Sequence, residues 1–238
     1  MKKVAFVLFI LAFATNICAQ KYTKKTLYNP VFTIGVNGGL NYFMGEDVGK
    51  YLPKLSTAPL GYSGRMLVGY NLSPKVGIRT MLGFGSFNSP HTVSKDTLSF
   101  KEYTLTADYV LNLTNTFGVY KPSKMVNFSA FAGLGVSYRD KIILATSGKT
   151  MSDAYISPLF RGGLLFDIRL SELLYFNIIG DLNILPDPYN GRPGYKVNGV
   201  QSAITSVGTP IDILPNLTFG FVYKIPTEKM VLKTVRAY

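Results

Sequence analysis

Few residues in this 238-residue chain have the chemistry of catalysis. The single histidine, His91, stands in Ser89-Pro90-His91-Thr92-Val93-Ser94-Lys95-Asp96, with Ser94 and Asp96 near it in sequence. A hydrolase triad needs nucleophile, base and orienting acid within hydrogen-bond reach. One histidine among Pro, Ser and Thr reads first as a solvated loop tip. The only cysteine, Cys18, falls in a leader, so the mature chain would carry no thiolate, disulfide or cysteine metal site. One histidine alone cannot assemble a metal centre either. We expect no catalytic residue, no metal and no cofactor.

The chain does hold charges at matched spacing. Arg65, Arg79, Arg161, Arg169 and Lys224 stand against Glu102, Asp108, Asp167, Asp181 and Asp212, each on the polar phase of an alternating pattern. Isolated charges in a narrow interior are costly, whereas paired and hydrogen-bonded ones are tolerable. Parity therefore predicts a lumen network that holds a barrel shut. Arg79 should meet Asp108, and Arg161 should meet Asp181, with Arg65, Glu102 and Asp212 nearer the end that carries the long connections.

The elements that would position these charges are strands. Phe32, Ile34, Val36, Gly38, Leu40 and Tyr42 alternate with Thr33, Gly35, Asn37, Gly39 and Asn41, a period of two. The same alternation starts near Tyr62, Val76, Tyr103, Val126, Phe160, Leu174 and Ile213, so eight strands are predicted. Ser73-Pro74-Lys75 and Ser171-Glu172-Leu173 are tight turns. The links 45–61, 87–99, 139–154 and 186–210 are long, 114–125 is intermediate, and Pro226 is expected to break the last strand. An even number of strands, long links at one end and short ones at the other match an antiparallel up-and-down transmembrane β-barrel.

Composition leaves room for that reading. The chain is 47% hydrophobic and 16% charged with a mean hydropathy of +0.19, too apolar for disorder. The apolar run 4–14 is shorter than the roughly 20 residues of a spanning helix. Lys2 and Lys3 precede that run and Ala19-Gln20 ends it, as in a secretory signal peptide. We expect a signal peptide at 1–19, a periplasmic segment at 20–29, the barrel at 30–225 and a basic tail at 226–238. The formal charge is +12, and without a nucleic-acid motif the partner it implies is an anionic membrane surface.

Alternation alone does not say which face is inside. Eight strands enclose barely enough room for side chains. The bulky Tyr, Phe, Leu and Ile face would overfill that space, while a face mostly of Gly, Ser, Thr and Asn fits. The bulky face is thus expected against lipid. Tyr42, Tyr62, Tyr103 and Tyr138 would mark one interface, and Tyr70, Phe176 and Tyr223 the other.

The leader, the eight alternating strands and the closing Leu217-Thr218-Phe219-Gly220-Phe221-Val222-Tyr223 resemble the small outer-membrane β-barrel proteins of the Bacteroidota, similar in architecture to the OmpA transmembrane domain and OmpX. The resemblance covers about 30–225 and implies the outer membrane of a Gram-negative bacterium. Such families include adhesins, envelope anchors, enzymes and barrels attached to secretion machines, among them a PorT-like group. Contact with partners is expected at Tyr189, Arg192 and Tyr195 in the 186–210 link, because Tyr and Arg favour interfaces. Lys229, Lys233 and Arg236 of the tail, with Lys21, Lys24 and Lys25, would form a basic periplasmic patch. The reading is a non-catalytic anchor or binding and assembly component, facing lipid and a periplasmic or cell-surface protein, with no nucleic acid. The alternatives are a narrow conduit, if the charges leave a wet path, and a lipid-modifying enzyme built on His91.

Overall fold

The computed structural model describes residues 30–42, 60–90, 97–118, 120, 123–145, 147–148, 150–186, 196–197, 200–201 and 211–226. In chain order these form β1 (Val31–Asn41), β2 (Gly61–Asn71), β3 (Val76–Pro90), β4 (Thr97–Asn112), α1 (Leu113–Phe117), β5 (Val126–Arg139), β6 (Ile142–Leu144), β7 (Thr150–Ser152), β8 (Tyr155–Arg169), β9 (Leu174–Pro186), β10 (Lys196–Val197), β11 (Val200–Gln201) and β12 (Ile211–Pro226). Eight of the strands pair antiparallel in the ring β1-β2-β3-β4-β5-β8-β9-β12, and β12 closes on β1. Closure leaves the ring itself without an edge, which strands must achieve where no water can satisfy their backbone.

The register fixes the girth. Starting at Val31 and stepping through Asn71, Gly77, Val110, Phe131, Gly163, Asp181 and Asn216, the hydrogen-bonded path returns to β1 at Asn41, ten residues further on. That stagger tilts the strands by roughly 40° and leaves an interior only as wide as packed side chains. Each step around the ring climbs about one and a quarter residues toward the end with the long connections.

Alternate residues then face opposite solvents. Val36, Met66, Leu82, Leu105, Leu134, Phe160, Leu182 and Leu217 are exposed on the outer surface, while Asn37, Arg65, Asp108, Ser137, Asp181 and Thr218 are buried inside. Aromatic rings line the outer surface at two levels. Tyr62, Phe84, Tyr103 and Tyr138 form a continuous row with centroids 6.0, 5.5 and 6.1 Å apart. Nearer the short turns, Phe128 meets Phe166 at 4.5 Å and Phe176 meets Phe221 at 5.6 Å. On β5 ten residues separate Phe128 from Tyr138, about 33 Å along the strand and about 25 Å along the axis of a barrel whose strands tilt by roughly 40°, close to the ~25 Å apolar band of such barrels.

Several ends differ from the sequence-based expectation. The 87–99 link is largely strand: β3 and β4 run to 15 and 16 residues, beyond the roughly 9–11 that cross a bilayer. Phe87 and Phe100 hold this extension together by stacking 5.2 Å apart. The 139–154 link contains β6, which pairs Leu144 with Leu98 of β4, and β7 beside it. The 114–125 link begins with α1, capped by the Asn112 side chain accepting from the Asn115 amide. At the other end β12 stops at Pro226, as expected, where the proline lies opposite Val31 with no continuing ladder to interrupt.

The interior also departs from the expected small hydrophilic filling. Two apolar clusters occupy it: Phe87, Phe100, Ile142, Leu144, Leu159, Leu185 and Leu214 toward the long connections, and Leu67, Met81, Phe131, Leu165, Ile179 and Val222 toward the short turns. Inward glycines beside them make the room. A Cβ at Gly133 would collide with the Asp108 carboxylate and the Ala107 carbonyl.

Candidate functional site

Beneath the upper apolar cluster, and interleaved with the lower one, runs a chain of buried ion pairs. Arg65 donates from both terminal nitrogens to Asp181, at 2.5 Å to Oδ1 and 3.2 Å to Oδ2. Arg161 donates to the same carboxylate at 3.1 Å and, through Nη1, to Thr106 Oγ1 at 3.1 Å. Its Nε lies 3.7 Å from Asp108 Oδ1. Arg79 completes the chain from the neighbouring strand, donating from Nε and Nη2 to Asp108 Oδ2 at 3.0 and 2.7 Å. Phe131 lies under two of the three guanidinium groups, with its ring centroid 4.4 Å from Arg79 Cζ and 5.1 Å from Arg161 Cζ.

Strand register explains who meets whom. Arg79 and Asp108 are direct partners across β3 and β4, while Gly163 opposite Asp181 lets Arg161 reach across from one residue pair away. Arg65 joins Asp181 from across the barrel. It therefore belongs to the middle of the lumen, not to the level of Glu102 and Asp212, where parity alone had placed it. The correction follows from the stagger, which lowers β2 relative to β4 and β12.

Glu102 and Asp212 are buried nearer the long connections, together with Arg139, which faces Glu102 across β4 and β5. Ser137 donates to Glu102 at 2.7 Å, and Arg139 donates to the Asp140 carbonyl and Ser152 Oγ. Sequence reasoning left Arg139 in a link, although its odd number continues the inward parity of β5. The middle cluster holds three arginines on two aspartates; the upper group holds two acids and one arginine. The opposite excesses cancel across the lumen.

At the lower mouth the arrangement loosens. Lys224 lies 3.4 Å from Asp167 and 3.5 Å from the centre of the Tyr175 ring, and both charged groups are partly exposed. Arg169 sits at the rim, where its Nε donates to the Ser171 carbonyl. A cavity of about 50 Å³ opens here between Thr33, Asn71, Arg79, Asp167, Asn177 and Lys224. α1 packs against β5 in the neighbouring link. Asn115 donates to the Pro74 carbonyl at 2.8 Å, and Thr114 Oγ1 accepts from the Phe128 amide at 2.7 Å, tying the turn between β2 and β3 to β5. In the same link the Tyr120 phenol is pushed above its ordinary pKa, first by burial and then by its proximity to Tyr175.

Arginine and carboxylate pair with each other through this network, which joins β2, β3, β4, β8 and β9 across the lumen. His91, Ser94 and Asp96 lie outside the described residues, as do Tyr189, Arg192, Tyr195, Lys229, Lys233, Arg236, Lys21, Lys24, Lys25 and the leader.

No model of a known protein family matches the sequence. A segment of 73 residues is 34% identical to Outer membrane protein 40 of Porphyromonas gingivalis, covering 31% of this chain and 19% of that relative's length. Among solved structures, a major outer membrane protein from Thermus thermophilus is 12% identical and superposes with a TM-score of 0.51, covering 83% of this chain and all of that one. Neisserial surface protein A is 14% identical with a TM-score of 0.46, covering 82% of this chain and 97% of that one. The closed ring of eight antiparallel strands, apolar outside and charged within, is that of a small outer-membrane β-barrel, and this chain is one. It resembles outer-membrane barrels of Gram-negative bacteria, and its place is the outer membrane.

Proposed function

We propose that the protein is a non-catalytic mount in the outer membrane, rigid and closed in its lumen, that binds or assembles with other components through its long connections and basic ends. The observation that carries this reading is the packed interior, in which buried ion pairs are interleaved with one apolar cluster and capped by a second toward the long connections. A layer of Phe, Leu and Ile strips hydrated ions of their water, and locked arginines provide no mobile site for them. The exterior is occupied by lipid, which leaves the connections at either end for protein partners.

Purified protein in planar bilayers is expected to give no discrete conductance steps; regular steps would replace the mount with a conduit. Lipid A mass profiles of a His91→Ala strain and of a deletion strain should both match wild type, and an altered profile would overturn the non-catalytic reading. Partner yield from crosslinked envelopes should fall when residues 227–238 are removed, or when Tyr189, Arg192 and Tyr195 are changed together to Ala. Unchanged partners at unchanged yield in both variants would remove these segments from the proposal.

A further inference from the structure

Among the described residues of the eight ring strands, Lys101 of β4 is the one charged side chain on the outward face; every other Lys, Arg, Asp or Glu of those strands has inward parity. Lys101 is exposed between the buried Phe100 and Glu102, as its phase in the alternation requires. A cation among acyl chains is costly, so such a residue belongs where its ammonium reaches water or a headgroup. Register gives the level. Lys101 is the ladder partner of Ser86 on β3, and its carbonyl accepts from the Asp140 amide at 2.9 Å just past the end of β5. With each strand climbing about one and a quarter residues, Tyr138 of β5 and Ile156 of β8 stand within about one residue of its height. Both face outward, 42% and 69% exposed. The apolar surface of the two following strands therefore reaches the level of Lys101, just above the aromatic row through Phe84 and Tyr103. The acids nearby are engaged elsewhere: Glu102 accepts from Ser137 inside the lumen, and Asp140 Oδ1 accepts from the Lys141 amide at 2.7 Å. Lys141 is exposed too, so two lysines and one aspartate leave this rim one positive charge in excess.

From this placement we propose that Lys101 is the headgroup contact of a lipid-binding site on the outer wall, taking the phosphate of an anionic lipid in the leaflet that borders the long connections. The inference rests on the membrane reading above and names one class of lipid within it. The ammonium offers a point charge to phosphate oxygens, and Lys141 adds a second. Ser86 beside Lys101 and Tyr103 two residues below it carry hydroxyls on the same face. Beneath them Leu82, Leu105 and Val136 are direct neighbours across β3, β4 and β5 and are exposed, which gives the acyl chains an uncharged surface to lie on. Lipid is the occupant because the cation is continuous with that surface. A zwitterionic headgroup brings its own cation against Lys101 and Lys141, so charge selects the anionic lipid.

The test weighs the lipid that stays bound. The full mature chain, held in detergent micelles with equal amounts of phosphatidic acid and phosphatidylcholine of the same acyl chains, would be released into a mass spectrometer with its retained lipid. Wild type is expected to keep phosphatidic acid about fivefold over phosphatidylcholine, and added inorganic phosphate should not displace it. Lys101→Gln should bring the ratio close to one, Lys101→Arg should restore it, and Lys75→Gln at the opposite rim should leave it as in wild type. Lys101 lies on the outer surface, so these changes leave the interior packing alone. An unchanged ratio in Lys101→Gln would overturn the proposal. An equal fall in Lys75→Gln would mean that any lysine of the chain suffices, which also overturns it. Displacement by inorganic phosphate would make this a free-anion site and remove the lipid assignment. A mature chain that stays monomeric and soluble without detergent would sink the membrane reading itself, whereas one that needs detergent but prefers neither lipid would sink this site alone.

Discussion

Arg161 and Lys224 both neutralise aspartates inside the barrel, in different surroundings. Arg161 is buried, shared between Asp181 and Asp108, bonded to Thr106 and backed by the Phe131 ring. Lys224 meets Asp167 at 3.4 Å beside a cavity, with both partners touching solvent. A buried charge that loses its partner cannot recover hydration, but a charge at a mouth can. The same formal pairing is therefore a structural commitment in the middle of the lumen and a weak, screened attraction at its edge.

Variants should widen or erase that contrast, and equilibrium urea unfolding from lipid vesicles would rank them. Arg161→Met carries the largest expected effect, about 4 kcal/mol of lost stability, because Asp181 Oδ2 and Thr106 Oγ1 lose their shared donor in a dry site and the tie from Asp181 to Asp108 is cut. Phe131→Ala comes next at about 3 kcal/mol, combining an internal cavity with the loss of the surface under two guanidinium groups. Arg79→Met alone should approach the first value, but Arg79→Met with Asp108→Leu should recover most of it and leave a net loss of about 1 kcal/mol, since no buried charge is then orphaned. Lys224→Met is expected to cost only about 0.5 kcal/mol and to cost still less at high salt. A Lys224 effect as large as that of Arg161 would erase the distinction between lumen and mouth.

Period-two alternation was enough to find all eight barrel strands and their outward faces, because one face meets lipid along its whole length and tolerates almost no charge. The inward face was harder to read. Phe131, Leu165 and Ile179 stand on the polar parity among Gly, Ser and Asn, and an alternation template passes over them as mismatches. They are buried because a barrel this narrow has a dry middle that accepts any side chain of the right volume. The Arg79–Asp108 contact was legible, since a hairpin sets its register. The position of Arg65 was not, because height in a barrel depends on the stagger accumulated around the ring, a quantity no single strand encodes. Arg139, β6 and β7 were hidden in a link whose alternation is only three residues long in each piece, and α1 is too short for helical periodicity to show.

The closed register has a practical corollary. Since eight strands and a ten-residue offset dictate the diameter, the peptide joining Asn41 to Gly61 has no part in setting it. That join is a natural insertion point for a grafted epitope: the cylinder beneath should assemble unchanged, and the foreign sequence would stand at the end that carries the long connections, at a spacing fixed by the scaffold alone.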